Sequence, residues 1–364
     1  MENASHHPTH KNLRVLVTGV GGGTVGEQLV KSLRLSLLQC QIYGSNLDSR
    51  SYSLTLVDQI VNLPAAHDPD YLGELIAACL QNQISVILPG SDAELRVICN
   101  GLAKLESAGL FVPVNPASVV NLCLDKMVLT RWLESNGFHT PASLVLGQDN
   151  FHLASLEYPV IVKPYRLSGG SAHVYLAQSK DELESLRDYL GAFCSELLVQ
   201  PYVGSADREF TVGVLCGPDG VVWQSIAMRR FLDTPLGVRL KTANRTSRRE
   251  LGDTLIVSSG LSQGEVRDFP DIRRVCESVA LKLNARSAIN IQCRVDDNDR
   301  VWIFEINPRF SGTTSMRALL GYNEPELLIR RYLLKEKCET RFSYRHGIVA
   351  RGLAEAVLPE SQVS

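Results

Sequence analysis

The segment Val301-Trp302-Ile303-Phe304-Glu305-Ile306-Asn307-Pro308-Arg309 reads as a buried strand that ends by presenting a carboxylate, an amide and a guanidinium in alternation. Successive side chains of a strand point to opposite faces, so Glu305, Asn307 and Arg309 share one side. Acid and amide oxygens are hard ligands suited to Mg²⁺, and an arginine beside them suits an anionic oxygen. A site handling a nucleoside triphosphate and a second anion needs that combination. Taken alone, the segment is equally satisfied by a strand that runs into a polar turn with Arg309 solvated.

Three further clusters bear on the choice. Thr18-Gly19-Val20-Gly21-Gly22-Gly23-Thr24-Val25-Gly26 follows a strand and opens a helix, and Gly21, Gly23 and Gly26 satisfy G-x-G-x-x-G. Such a turn lets backbone approach a phosphate at a helix N-terminus, and Asp48 falls where a ribose-binding acid lies in dinucleotide folds. The turn is also explained by close packing alone, and nothing later in the chain resembles hydride-transfer chemistry. The second cluster is Val162-Lys163-Pro164 followed by Ser168-Gly169-Gly170-Ser171. A lysine leaving an apolar strand, then small residues with free N–H groups, suits a phosphate cradle; a solvated hairpin tip is the alternative, and a charge leaving a buried strand favours a task for Lys163. The third runs from Leu197-Leu198-Val199-Gln200-Pro201-Tyr202-Val203-Gly204 to Asp207-Arg208-Glu209. An apolar strand passing into a loop offers backbone groups to a base edge, and a carboxylate soon after can accept from ribose hydroxyls.

Cations gather in Met228-Arg229-Arg230-Phe231 and at Arg239, Lys241 and Arg245, in a stretch with few acids. A basic lip of this kind suits a carboxylate-bearing substrate, and a solvated loop explains most of it equally. Arg230 is the first choice for a substrate contact, because it leaves its strand near the expected site. Arg294, two residues beyond Gln292 on the same strand face, is the second.

The elements that must position these residues change character along the chain. Residues 14–112 alternate strands (14–18, 84–88) with helical patterns (24–38, 91–107), which argues for a parallel sheet wrapped by helices. A short helical segment starts at Asn115-Pro116, and 125–136 is a further helix. From about 140 the strands fall into hairpins, at 160–164, 196–202, 209–216, 221–229, 287–295 and 301–306. Helices at about 180–190 and 271–284 are segregated from them, the first opened by the capping box Ser179-Lys180-Asp181-Glu182. Residues 325–334 form an apolar helix that packs internally or against a second subunit. At 364 residues the chain fits two or three domains, with 45% hydrophobic and 21% charged residues. A formal net charge of −2 argues against a nucleic-acid or membrane surface. Nine scattered cysteines without a C-x-x-C pair read as reduced thiols in a cytoplasmic protein. Residues 1–12 are polar, carry His6, His7 and His10, and read as a disordered tail rather than a signal peptide.

Taken in order, these pieces resemble an ATP-grasp enzyme over roughly residues 14–335. The motifs are the glycine-opened N-terminal domain, Asp125-Lys126, Val162-Lys163-Pro164, Ser168-Gly169-Gly170-Ser171, Gln200 to Glu209, Asn290-Ile291-Gln292 and Glu305-Ile306-Asn307-Pro308-Arg309. The last motif and Gln292 most resemble the branch containing the large subunit of carbamoyl phosphate synthase. The resemblance implies an α/β chain: an N-terminal pre-ATP-grasp, Rossmann-like parallel sheet, followed by two α+β lobes of an ATP-grasp fold. The implied boundaries are a tail at 1–12, the Rossmann-like domain at 13–124, a small lobe with the phosphate loop at 125–200, a large lobe at 201–340 and an extension at 341–364. It also implies that Lys126 and Lys163 contact nucleotide phosphates, with Ser168, Gly169 and Gly170 closing over them. Gln200, Pro201, Tyr202 and Val203 would form the adenine hinge, with Gln200 standing where many members carry glutamate. Glu209 would bind ribose, with Asp207 as the alternative. Gln292, Glu305 and Asn307 would hold Mg²⁺ (or Mn²⁺), and Arg309 would face an acyl phosphate or substrate carboxylate.

The expectation is therefore an ATP-dependent carboxylate–amine ligase of the C–N bond-forming type, acting on small molecules, one of them an amino acid. Arg309, Lys163 and Arg230 would carry the chemistry. Neither nucleic acid nor membrane is an expected partner, and a homodimer stays open. Two alternatives remain at this point. One is carboxylate phosphorylation or carbamoylation of the carbamoyl-phosphate-synthase kind; the other is an NAD(P)-binding oxidoreductase using the glycine turn.

Overall fold

A computed structural model describes residues 13–146, 156–165, 173–192, 194 and 196–358. They divide into two compact units, one from residues 13–113, 314–339 and 353–358, the other from 114–313 and 340–352.

In the first unit β1 (Arg14–Val17), β2 (Gln41–Gly44), β3 (Gln59–Ile60) and β4 (Val86–Leu88) form a parallel sheet in the order β3-β2-β1-β4. Val15, Leu16 and Val17, like Val86, Ile87 and Leu88, are buried on both faces, as continuous apolar runs in a parallel sheet require. The connecting helices are α1 (Val25–Arg34), α2 (Tyr71–Gln81), α3 (Asp92–Asn100) and α4 (Leu102–Ser107). The single helix expected over 91–107 is broken at Gly101, where an added Cβ would sit 2.4 Å from the Leu72 side chain. The helix expected over 24–38 ends at Arg34.

The glycine turn serves packing. A Cβ on Gly26 would lie 2.4 Å from the Gly19 carbonyl oxygen, and one on Gly90 would lie 2.2 Å from that of Thr18. The turn after β1, the first turn of α1 and the turn after β4 thus meet backbone to backbone. Asp48 is held by Arg50 at 2.9 Å.

Residues 314–334, expected in the large lobe, belong to this first unit instead. Their helices Thr314–Leu319 and Glu324–Leu328 fasten to α1 through Ser315 Oγ to Gln28 Oε1 at 2.5 Å and Asn323 Nδ2 to the Ser32 carbonyl at 2.9 Å. The apolar helix expected over 325–334 gives way to a π turn at Ile329–Leu333.

The second unit opens with α5 (Ala117–Leu124) and α6 (Lys126–Ser135). Next come β5 (Leu144–Val145), β6 (Val160–Pro164), β7 (Tyr175–Ala177), α7 (Lys180–Gly191) and β8 (Leu197–Pro201). These strands make an antiparallel sheet in the order β5-β8-β6-β7. Ser179 caps α7 as expected, its Oγ accepting from the Glu182 N–H at 3.3 Å.

β9 (Glu209–Cys216), β10 (Val222–Arg230), β11 (Val238–Ala243), β12 (Thr254–Ser258), β13 (Gly264–Val266), α8 (Pro270–Lys282), β14 (Ala288–Val295), β15 (Val301–Asn307) and β16 (Gly347–Val349) complete it. The main antiparallel sheet runs β15-β14-β9-β10-β13-β16, and β11 pairs only with β12. One face of the main sheet is apolar: Phe210, Val212, Val214, Ile289, Ile291 and Ile303 share a core with Cys276, Val279 and Ala280 of α8. Each such side chain, fully buried, contributes about 1.5–3 kcal/mol. The alternating residues, among them Asn290, Gln292 and Thr211, form the sheet's polar face.

The segment expected as a C-terminal extension from 341 supplies the edge strand β16. It is tied to the sheet by Arg341 to Glu277 at 2.9 Å, Gln224 Nε2 to the Phe342 carbonyl at 2.7 Å and the Tyr344 hydroxyl to the Ser225 carbonyl at 3.0 Å. Among the described residues no helix is long and apolar enough to cross a membrane.

Candidate active site

Antiparallel register builds the polar face. Gln292 of β14 pairs with Glu305 of β15, Asn290 with Asn307, and Thr211 of β9 with Gln292. Asn307 Nδ2 donates to Glu305 Oε1 at 2.9 Å, and Arg309 Nη2 donates to Asn307 Oδ1 at 3.1 Å. The three side chains that strand alternation placed on one side are therefore joined in a chain, with Gln292 opposite. Glu305 is exposed while Asn307 is buried. Thr211, which the sequence did not single out, donates through its hydroxyl to Asn290 Oδ1 at 2.8 Å.

Two lysines come from other elements. Lys163 leaves β6, and Lys126 opens α6. Burial pushes the Lys163 ammonium down to about 8; Glu305 opposes that shift and Lys126 adds to it. Burial lowers Lys126 as well, against the pull of Glu305 and Asp125. Both ammoniums thus feel the field of one carboxylate, Glu305.

Asp125 caps α6, accepting from the Met127 and Val128 N–H groups at 3.0 Å each, and also accepts the Tyr165 hydroxyl at 2.8 Å. Lys126 Nζ donates to the Tyr165 carbonyl at 3.0 Å. Asp125 entered the sequence reading only as the start of the helix 125–136 and in the motif Asp125-Lys126; Tyr165, which links the Asp125 cap to the strand end carrying Lys163, had no sequence signal. Ser168, Gly169 and Gly170, with the neighbouring Ser171, lie outside the described residues.

At the hinge the side chains face inward. Gln200 Nε2 donates to Ser143 Oγ at 2.6 Å, and the Tyr202 hydroxyl bridges the backbone N–H and carbonyl of Ile256 at 3.0 Å each. The Tyr202 N–H donates to the Pro159 carbonyl at 2.9 Å. Among the described residues nothing pairs with the N–H or carbonyl of Val203. A base edge meeting this hinge would meet backbone there, not the Gln200 amide.

Three of the expected site residues meet in one buried cluster. Arg230 Nη1 donates to Glu209 Oε1 at 2.5 Å, and Arg294 Nε donates to Glu209 Oε2 at 2.9 Å. Arg230 also donates to Ser258 Oγ and to the Ser259 and Leu261 carbonyls, and the Arg294 guanidinium lies 4.4 Å over the Tyr202 ring. Burial raises the Glu209 carboxyl, but the two guanidiniums overcome it and hold the group below its usual range. Both carboxylate oxygens of Glu209 are engaged and all three side chains are buried, so these expected site residues neutralise one another. Asp207 is exposed, and among the described residues its side chain has no partner. Of the basic lip, Arg229 pairs with Glu265 at 2.8 Å and Arg245 with Glu182.

The donor set fits a hard cation held partly by its ligand. Among the described residues no group of three or more His, Cys, Asp or Glu side chains converges. Glu305 is therefore one carboxylate beside the amides Gln292 and Asn307, as suits Mg²⁺ that takes its remaining ligands from phosphate oxygens and water.

Two family profiles match the chain: "PylC-like, N-terminal domain" over residues 15–113 and "ATP-grasp in the biosynthetic pathway with Ter operon" over 252–355. The vancomycin/teicoplanin A-type resistance protein VanA of Enterococcus faecium is 26% identical over 223 residues, covering 59% of this chain and 62% of that protein. A D-alanine–D-alanine ligase of Bacillus anthracis is 24% identical over 157 residues, covering 40% and 51%. The chain thus spans less than two thirds of the length of these curated relatives. Among solved structures, an L-amino acid ligase from Bacillus licheniformis superposes with a TM-score of 0.59 at 16% identity, covering 88% of this chain and 74% of that one. Likenesses at that identity show the fold. The match over 252–355 and the shared fold make the chain similar to ATP-grasp enzymes.

Proposed function

We propose that the chain is an ATP-dependent carboxylate–amine ligase that activates a carboxylate as an acyl phosphate and joins it to an amine, with an amino acid as one substrate. The observation that carries this reading is the exposed Glu305, joined to Asn307 and Arg309, paired with Gln292 and acting on both Lys126 and Lys163. Glu305, Asn307 and Gln292 would hold Mg²⁺ (or Mn²⁺), which when bound screens the triphosphate charge. Lys126 and Lys163 neutralise the β- and γ-phosphate oxygens. The Val203 backbone meets the adenine edge, and Asp207 meets ribose.

With the phosphates so screened, a substrate carboxylate attacks the γ-phosphorus and ADP departs. Arg309 stabilises charge on the transferring oxygens, then on phosphate as the amine displaces it from the acyl carbon. The relatives named as amino-acid ligases support an amino acid as substrate.

The test is phosphate release from Mg²⁺-ATP across pooled amino acids, with Glu305→Ala as control. Release that depends on an amino acid, yields an amide and falls about 10²-fold or more in the variant is the expected result. Amino-acid-independent release that persists in Glu305→Ala would sink the reading.

A further inference from the structure

The loop 308–313 that presents Arg309 is fastened at both ends by residues distant in sequence. At one end the fully buried Asn115 donates through Nδ2 to the Pro308 and Ala288 carbonyls, each at 3.0 Å, and accepts from the Arg286 N–H at 2.8 Å. One amide thereby ties the residue before Arg309 to the start of β14, the strand of Gln292. At the other end Arg351 donates through Nη2 to the Gly312 carbonyl at 2.5 Å, and its own N–H donates to Gln263 Oε1 at 3.1 Å. Gln263 is itself fixed, its amide donating to the Thr234 hydroxyl at 2.7 Å and its carbonyl accepting from the Phe231 N–H at 2.9 Å.

Between the two anchors the loop closes on itself. The Arg309 N–H donates to the Asn307 carbonyl at 2.9 Å, Arg309 Nη1 to the Phe310 carbonyl at 3.0 Å, and the Thr313 N–H to Ser311 Oγ at 3.1 Å. Arg351 reaches the loop because residues 340–352 return along the sheet edge through β16. A guanidinium that must meet a transferring phosphoryl group acts best when its backbone is fixed beforehand, and a misplacement of about 1 Å can cost about 10²-fold in rate.

We propose that Asn115 and Arg351 are positioning residues that set the Arg309 guanidinium for the phosphoryl-transfer step; this rests on the ligase reading above. Asn115→Asp keeps the side-chain shape but replaces the donor to two carbonyls with an oxygen. Arg351→Ala removes the tether to Gly312, and added guanidinium can restore it.

The experiment combines deuterium exchange of peptides covering 308–313 with steady-state kinetics on the amino acid found by the phosphate-release screen. Both variants are expected to exchange faster across 308–313. Their kcat should fall about 10²-fold while KM for Mg²⁺-ATP moves less than about twofold. Guanidinium should return part of the kcat of Arg351→Ala. A merely structural role would instead raise KM for ATP and lower Tm together with kcat, without rescue, and would overturn the proposal. Unchanged exchange at 308–313 overturns it too, as does faster exchange with full kcat. If the wild type turns over no amino acid, the ligase reading fails by itself, and the exchange arm still decides whether the two residues hold the loop. Should Asn115→Asp not fold, Arg351→Ala carries the same readouts.

Discussion

Burial holds the Lys163 ammonium near pKa 8, against the usual 10.5 that it would have in the unfolded chain. Between those two values the unfolded state binds more protons, so folding is favoured progressively as pH rises, and below pH 8 the buried charge opposes folding in full. A group kept under that strain makes sense where a polyanion arrives to offset it. Lys163→Met is therefore expected to raise Tm at pH 7 while abolishing amino-acid-dependent phosphate release. The difference in Tm from wild type should shrink toward pH 10.5. Thermal melts of both proteins at the two pH values check this; an equal difference at both would refute it. The lysine itself was legible, because a charge ending the apolar run Val160-Ile161-Val162 is conspicuous. Its electrostatic partner Glu305, 142 positions later by number (305 − 163), was legible only as a separate motif.

Strands and hairpins decide which charges are available to a ligand. Arg230, Arg294 and Glu209 come from β10, β14 and β9, and the register that puts Arg294 opposite Glu209 binds the three into one another. Ser258 and the carbonyl of Ile256, from the hairpin β11–β12, complete the cluster. Breaking a buried ion pair by removing one partner leaves the other charge uncompensated, at about 3–5 kcal/mol. Glu209→Gln and Arg294→Met should accordingly lower stability by about that much, leaving KM for the amino acid within about twofold. Denaturant unfolding and kinetics on the same preparations separate stability from binding. A large rise in that KM with stability intact would return the arginines to the substrate site. Sequence placed all three residues near the site but gave each a ligand, because one strand read alone does not show what its neighbour presents.

At the scale of the whole chain, the side chains proposed to hold Mg²⁺ and the phosphates come from α6, β6, β14 and β15 of the second unit. A ligand that bridges them links their stabilities. At about 100 times its Kd, Mg²⁺-ATP should stabilise this unit by about 2.7 kcal/mol. Scanning calorimetry is expected to show the shift with wild type, to lose most of it on chelation of Mg²⁺ by EDTA, and to lose the metal-dependent part in Glu305→Ala. An EDTA-insensitive shift would take Glu305, Asn307 and Gln292 out of a metal-binding role.

The sequence by itself determined the α/β class, the order of most elements and the alternation that sets Glu305, Asn307 and Arg309 on one side. These rest on short-range periodicity, which each segment carries alone. Strand 301–306, helix 125–136 and the cap at Ser179 were accordingly legible to within a residue or two. Only the tertiary structure decided that Glu209 neutralises two arginines, that residues 314–334 join the first unit, and that the segment beyond 340 edges the main sheet. It alone brought Asn115 and Arg351 to the two ends of the Arg309 loop. Each of these depends on pairing between positions tens to hundreds of residues apart, set by register and burial, on which no local pattern reports.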